Sequence, residues 1–324
     1  MPISTELLTT NLTSPVVLAF GLGLVARLLR SDLAFPSAIQ QYLSIFLLLA
    51  IGLKGGVALG QPALAELALY IAATIVIGVV TTGSAYLAAR LWLRQPVIEA
   101  ASLAAHYGSV SAVTFIAAQQ FSERLGQPAD AVLVALVVAL ELPALLVGLT
   151  LGRRAGGSGG ASSLGHTTRE VLTSKTFILL LGGLAIGAIS GRSGVAAVEA
   201  MYFQLFQGML MLFMLDMGLT AAERLRELRE GVGRLLAFAV VVPLGHGLLG
   251  ALVATAIGLN PSSAAVFAAM TASASYIAAP AAVRAGLPEA NVGRAITASL
   301  GITFPFNLAI GIPLYAAFTD WLAA

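Results

Sequence analysis

Apolar residues along this chain come in unbroken runs of roughly 20, the length a helix needs to cross the hydrocarbon core of a bilayer. The strands of a membrane barrel would instead alternate apolar and polar positions. In order, the runs predict helices over about 15–30, 36–53, 62–92, 97–119 and 130–151, then 174–191, 196–219, 231–258, 262–283 and 291–321. Between the two sets of five lies Gly152–Lys175, where Gly156-Gly157-Ser158-Gly159-Gly160 and Ser162-Ser163 have linker composition. The pattern thus divides the chain into a first five-helix repeat over 1–151, a hinge over 152–175 and a second five-helix repeat over 176–324.

Two of the runs are interrupted in the same way. His106-Tyr107-Gly108-Ser109-Val110-Ser111 breaks the fourth, and Met270-Thr271-Ala272-Ser273-Ala274-Ser275-Tyr276 breaks the ninth. Ser109 and Ser111 fall on Ser273 and Ser275 at an offset of about 164 residues, half the chain. Three further matches share nearly that offset: Ile51-Gly52-Leu53 with Met217-Gly218-Leu219, Glu141-Leu142-Pro143 with Thr303-Phe304-Pro305, and Arg30 with Arg192. Agreement on one offset points to a duplication; chance likeness among Gly-, Ala- and Leu-rich helices is the alternative. Five spans is an odd number, so a second copy enters the membrane from the opposite side. Inverted repeats of this kind, with interrupted helices in corresponding positions, mark the binding sites of many secondary transporters.

Composition agrees with a membrane protein. Hydrophobic residues make up 58% of the chain and charged residues 10%, against about 25% charged in a soluble domain. Mean hydropathy is +0.94. A net charge of +2 without a basic patch argues against nucleic acid as a partner, and the absence of cysteine excludes disulfides and thiolate metal sites. Met1–Ser14 has no basic region, so the first run is expected to be a retained span rather than a signal peptide. Asn11-Leu12-Thr13 fits a glycosylation sequon, a short motif that arises readily by chance. With the N-terminus outside, all but Lys54, Arg124 and Arg192 of the 17 basic residues fall in inside loops. The positive-inside rule then places both termini outside and the hinge in the cytoplasm, as a multi-pass protein of a bacterial inner membrane.

The breaks are the first candidates for chemistry. Backbone freed by a break cannot be satisfied by lipid, so it must line a protein cavity or hold a ligand. Half-helices starting at the breaks present free N–H groups and a positive dipole end, which suits a small anion. Gly108, Ser109, Ser111 and Thr114 on one side and Ser273, Ser275 and Tyr276 on the other are the candidate substrate-binding residues. Small-residue packing between continuous helices is the bland alternative. Buried acids come second, because an ionisable group at membrane depth is a functional hypothesis by default. Glu141, with Thr303, Asn307 and Ser275, forms the candidate set for Na⁺, a hard cation that prefers oxygen ligands. Asp216 is a weaker candidate near the cytoplasmic end of its span, and Glu66 and Glu99 read as interfacial. His106 and His246 read as hydrogen-bonded structure; no spacing resembles a metal site. Ser111 with His106 and Glu141 could imitate a hydrolase triad, but Gly108-Ser109-Val110-Ser111-Ala112 is not a Gly-x-Ser-x-Gly elbow. No cofactor is expected beyond a coupling ion. The charged run 222–230 reads as a solvated cytoplasmic face that could dock a regulator.

Taken together, these residues resemble a sodium-dependent bicarbonate transporter of the SbtA type over most of the length. The resemblance rests on Arg284-Ala285-Gly286-Leu287-Pro288, Ala290-Asn291 and Ile310-Gly311-Ile312-Pro313-Leu314. It also rests on Gly108, Val110, Ser111 and Thr114 at the first break, Ser273, Ser275 and Pro280 at the second, and Pro243, His246 and Gly247. It implies an all-α membrane protein of ten transmembrane helices in two inverted five-helix repeats, with core and gate domains and two broken, crossing helices. It further implies a homotrimer, elevator-like alternating access, and bicarbonate with Na⁺ bound where the broken helices cross. The chain departs from the family in carrying Tyr276 and Glu141 where aspartates are expected, Ala278 for a serine, Ala112 and Val113 for smaller residues, and a shorter hinge. Tyr276 bears on anion selectivity and Na⁺ stoichiometry. The shorter hinge weakens the case for a PII-like regulator. The expected activity is Na⁺-coupled bicarbonate symport. The alternatives are Na⁺- or H⁺-coupled carriage of another small carboxylate, an intramembrane Ser/His enzyme, and a sensor that binds without transport.

Overall fold

The computed structural model describes residues 5–58, 64–155, 165, 168–169, 172–226 and 232–324. The hinge's Gly/Ser run and the 227–230 end of the charged run lie outside the described residues. Within them the chain is helical, with no strand. In order the helices are α1 (Thr5–Leu12), α2 (Pro15–Leu28), α3 (Ser37–Ala58), α4 (Leu64–Leu91), α5 (Val97–Gly108), α6 (Ala112–Arg124) and α7 (Val132–Ala155), then α8 (Lys175–Val195), α9 (Phe206–Arg226), α10 (Val232–Ala256), α11 (Pro261–Thr271), α12 (Ala278–Gly286) and α13 (Val292–Ala323).

Among the described residues seven helices are long and apolar enough to cross a membrane, eight when the α1–α2 pair, bent by 64°, counts as one. Large apolar side chains such as Leu18, Leu22, Ile178 and Ile189 are left exposed, as lipid-facing residues are. This is an all-α membrane protein. The ten expected spans are not reached by length and apolarity alone. The first falls on α2, which has 14 residues and begins at the bend, where Ser14 caps Val17 N–H and Pro15 opens the helix. The seventh falls on α9, which starts only at Phe206 after a stretch of 3-10 and π turns and carries Gln207, Asp216 and Glu223. The ninth is split into α11 and α12 by its break.

In a bilayer, apolar burial does little to drive helices together, and close van der Waals contact takes its place. Two crossings show this. Gly52 and Gly56 of α3 face Gly183 and Gly187 of α8, where an added Cβ would lie 2.9–3.0 Å from the opposing Cα atoms. Gly23 of α2 and Gly218 of α9 meet in the same manner, at 3.0 Å. Helices α2, α3, α8 and α9 therefore pair among themselves. Helix α5 packs on α4 and α7, and α11 on α10 and α13, while α6 lies against α11. The interrupted pair α5–α6 is buried along its whole apolar window.

Loop contacts group on two faces. Arg27 pairs with Glu223, Arg153 Nε donates to Gly286 O at 3.1 Å, and Asn291 N–H donates to Glu99 Oε1 at 3.0 Å. On the other face Asp130 Oδ2 accepts from Asn260 Nδ2 at 2.7 Å and from Ser263 Oγ at 2.9 Å. Asn11, which fits a sequon in sequence, is buried in α1, and its side-chain amide donates to Leu308 O at 2.5 Å. It is a tertiary anchor, and a glycan there is incompatible with the fold.

Candidate functional site

The two breaks meet. At the first, 109–111 leave helical geometry, with Ser109 at φ −88°, ψ 154° and Ser111 at φ −91°, ψ 111°. Ser111 is then the N-cap of α6, its hydroxyl accepting from Thr114 N–H at 3.2 Å. At the second, the helical bonding stops at Ala272 and resumes after Ile277. The freed backbone of each break is taken up by the other. Ser111 N–H donates to Ser273 Oγ at 2.8 Å, and Ser275 N–H donates to His106 O at 2.8 Å. Ser273 Oγ donates to Met270 O at 2.6 Å, and Ser275 Oγ accepts from Ala279 N–H at 3.1 Å. Gly108 lets α4 pass close to the first break: a Cβ there would collide with the Thr82 side chain. Asn307 braces the second break from behind, donating to Ala272 O at 2.7 Å and accepting from Tyr315 Oη at 3.1 Å.

A small cavity sits where the breaks meet. Val110, Ser111 and Ala112 line it from one break, and Ser275, Tyr276, Ile277 and Ala278 from the other; Glu141 of α7, Leu48 of α3 and Thr176 of α8 complete it. Its volume is about 10 Å³, room for one water at most. Glu141 is 1% exposed, and neither carboxylate oxygen has a hydrogen-bond partner among the described residues. A buried carboxylate left this way is costly unless a cation or proton accompanies it. Tyr276 packs edge-on to Phe304, ring centroids 5.6 Å apart, and its hydroxyl lies beside Ser111 without a hydrogen bond of ordinary geometry. Ser109 Oγ is also buried without a partner among the described residues.

The structure therefore brings Ser111, Ser275, Tyr276 and Glu141 to one cavity, whereas Gly108, Ser109, Thr114 and Ser273 lie in or next to the breaks without lining it. It does not bring Thr303 and Asn307 there. Thr303 Oγ1 donates to Ala239 O at 2.7 Å and is bonded to Tyr107 Oη at 2.8 Å. Both residues lie in α13 within π-helical turns, Thr303 in 297–303 and Asn307 in 307–311, irregularities that recur at functional sites. Asp216 is buried and held by Gln40 Nε2 at 2.8 Å, away from the breaks' lining. His106 Nδ1 is bonded to Ser102 O at 2.7 Å and His246 Nε2 to Ser84 Oγ at 2.7 Å. Ser111 Oγ caps a helix rather than bonding His106, so a hydrolase dyad is not assembled. Thr176 and Leu48 were not legible as site residues, because their place depends on how α3 and α8 pack. No group of three or more His, Cys, Asp or Glu side chains gathers as a metal site among the described residues.

No curated protein matches the chain. The model of the Na⁺-dependent bicarbonate transporter superfamily matches residues 15–320, a span that holds both breaks, Glu141 and the whole of the cavity lining. Since that match runs nearly end to end, the chain belongs to the Na⁺-dependent bicarbonate transporter superfamily.

Proposed function

We propose that the chain is a secondary active transporter that moves bicarbonate together with Na⁺ across a bacterial inner membrane by elevator-like alternating access. The observation that carries this reading is the meeting of two interrupted helices beside an unpartnered, buried carboxylate. Ala112 and Ala278 line the cavity from the first turns of α6 and α12; Thr114 N–H and Ala279 N–H are capped by Ser111 and Ser275, which leaves the Ala112, Val113 and Ala278 amides without an intrahelical acceptor. Those amides, with the Ser111 and Ser275 hydroxyls, suit the oxygens of a small anion. Glu141 and freed carbonyls suit Na⁺, and Thr303 and Asn307 would enter the ion's surroundings only after exchanging their present partners.

The cavity is too small for the anion as it stands, so walls must part. Leu48 and Thr176 belong to α3 and α8, within the glycine-paired set α2, α3, α8 and α9. In this reading that set is the gate, and α4–α7 with α10–α13 are the core. The ten-span, inverted five-helix arrangement is supported by the paired breaks. It is also supported by the two glycine crossings, which exchange roles between the halves, with Gly52 and Gly218 at corresponding positions. Loop contacts on two faces agree with both termini outside. The homotrimer rests on family resemblance, and a PII-like regulator would need the hinge. A second reading, carriage of another small carboxylate with Na⁺ or H⁺, is favoured by Tyr276 in the cavity wall.

Uptake of labelled bicarbonate into proteoliposomes, with and without a Na⁺ gradient, tests the proposal. Accumulation driven by Na⁺ is expected. Transport of formate in preference to bicarbonate would favour the second reading. A new product would favour an enzyme, and saturable binding without flux a sensor. A tag at Gly159 should be protected in intact cells and one at Ala324 accessible; the reverse pattern overturns the orientation.

A further inference from the structure

A second, larger cavity adjoins the first. Its volume is about 370 Å³, an order of magnitude above the roughly 30 Å³ share of one liquid water. It is lined by Leu145 of α7, the start of α8 from Thr173 to Thr176, and Ile277–Ala282 positions of α12. Thr176, Ile277 and Ala278 line both cavities. The larger space is therefore a vestibule that ends on the breaks, on the same side as the hinge.

Among the described residues one charged side chain lines it, Lys175. The chain has two lysines. Lys54 lies over the Phe206 ring at 4.1 Å, whereas Lys175 has no ion-pair partner among the described residues. Ser174 caps α8 by accepting from Phe177 N–H at 3.2 Å, which leaves the Lys175 and Thr176 amides without an intrahelical acceptor. Thr176 is 6% exposed, and its hydroxyl has no partner among the described residues. A cation at the mouth, amides without an intrahelical acceptor behind it and a hydroxyl at the junction with no bond to a described residue together suit an anion. We infer that Lys175 and Thr176 form a capture site for the transported anion, one step outside the breaks on the hinge side. Anion-over-cation selectivity on that face is set there, because a cleft with low-dielectric walls focuses a single charge. This rests on the symporter reading for the anion's identity, though not for the site's geometry.

The chain has no cysteine, so a single Ala281→Cys in the vestibule reports on it cleanly. In reconstituted vesicles, a membrane-impermeant maleimide should label Ala281→Cys from the hinge side. Bicarbonate, formate or nitrate should slow that labelling. With Lys175→Gln added, the protecting concentration should rise at least about threefold, the scale of one partly solvated charge. Lys175→Arg should restore it, and Thr176→Val should weaken protection while Thr176→Ser keeps it. Labelling from the opposite face only, or protection unchanged in Lys175→Gln, overturns the inference. Na⁺-driven bicarbonate flux is measured separately on the unaltered chain. Flux without anion protection leaves the symporter reading standing and removes the capture site. Protection by an anion without flux does the reverse, and absence of both removes both.

Discussion

The two breaks carry matching serine pairs in the sequence, yet they are closed differently. The first is short and fully capped. Ser111 holds Thr114 N–H and gives its own amide to Ser273, and α6 runs on for 13 residues. The second is longer, has Ile277 with no side-chain cap at the start of α12, and continues for nine residues through Pro280. Its Ser275 reaches one residue further, to Ala279 N–H, and Tyr276 leaves a hydroxyl without a well-formed bond. The positions of Glu141 and Thr303 differ in the opposite sense. Glu141 faces the cavity without a partner, while Thr303, its counterpart in the second half, is locked between Tyr107 and Ala239. In the proposed reading the first break is the fixed bracket and the second the adjustable one, while Glu141 is the adjustable group of the first half.

The comparison is broken most severely by filling the junction. Ser111→Leu and Ser275→Leu should each abolish uptake while the protein still inserts, since a cavity of about 10 Å³ has no room for the added carbons. Alanine should separate the breaks. Ser111→Ala removes a true N-cap and should lower stability by about 1 kcal/mol in thermal unfolding. Normal transport by both leucine variants would reduce the serines to packing residues.

Next in size is the divergence of Glu141 from Thr303. Glu141→Gln should raise the Na⁺ concentration for half-maximal uptake by at least about tenfold, the scale of losing one buried charge contact, with a smaller change in anion affinity. Thr303→Val should leave the Na⁺ response alone and cost about 1 kcal/mol of stability, because it unpairs Tyr107 Oη. A Na⁺ response altered by Thr303→Val and untouched by Glu141→Gln would exchange their roles.

Much of this was legible in the chain itself, for a physical reason. A serine-rich, unbulky stretch inside a lipid-length run is expensive unless it does something, so the breaks and Glu141 stood out. What was not legible depends on distant partners. Thr303 and Asn307 carry oxygens at plausible positions, but only the fold reveals that Tyr107, Ala239, Ala272 and Tyr315 already occupy them. Thr176 reads as an ordinary first-turn residue until α8 is laid against α7 and α12. Asn11 reads as a surface sequon until α1 bends by 64° from α2 and tucks it against Leu308. Helix α9 reads as a long span until the turns before Phe206 shorten it.

Tyr276 gives the finest test of the contrast between the breaks. Its hydroxyl makes no well-formed hydrogen bond, while its ring packs on Phe304 and walls the cavity. The ring is therefore the part that matters. Tyr276→Phe should change stability by less than about 0.5 kcal/mol and leave uptake near the unaltered level. Tyr276→Asp exchanges that wall for a carboxylate about as near to Ser111 as the ring now is. A second negative charge beside Glu141 gives a further Na⁺ something to balance, so the dependence of initial uptake on Na⁺ should steepen and anion preference should shift. The two variants are measured side by side as initial rates against Na⁺ concentration. If Tyr276→Asp matches Tyr276→Phe in slope, half-saturation and anion preference, position 276 is not part of the ion surroundings. The second break would then be no more adjustable than the first.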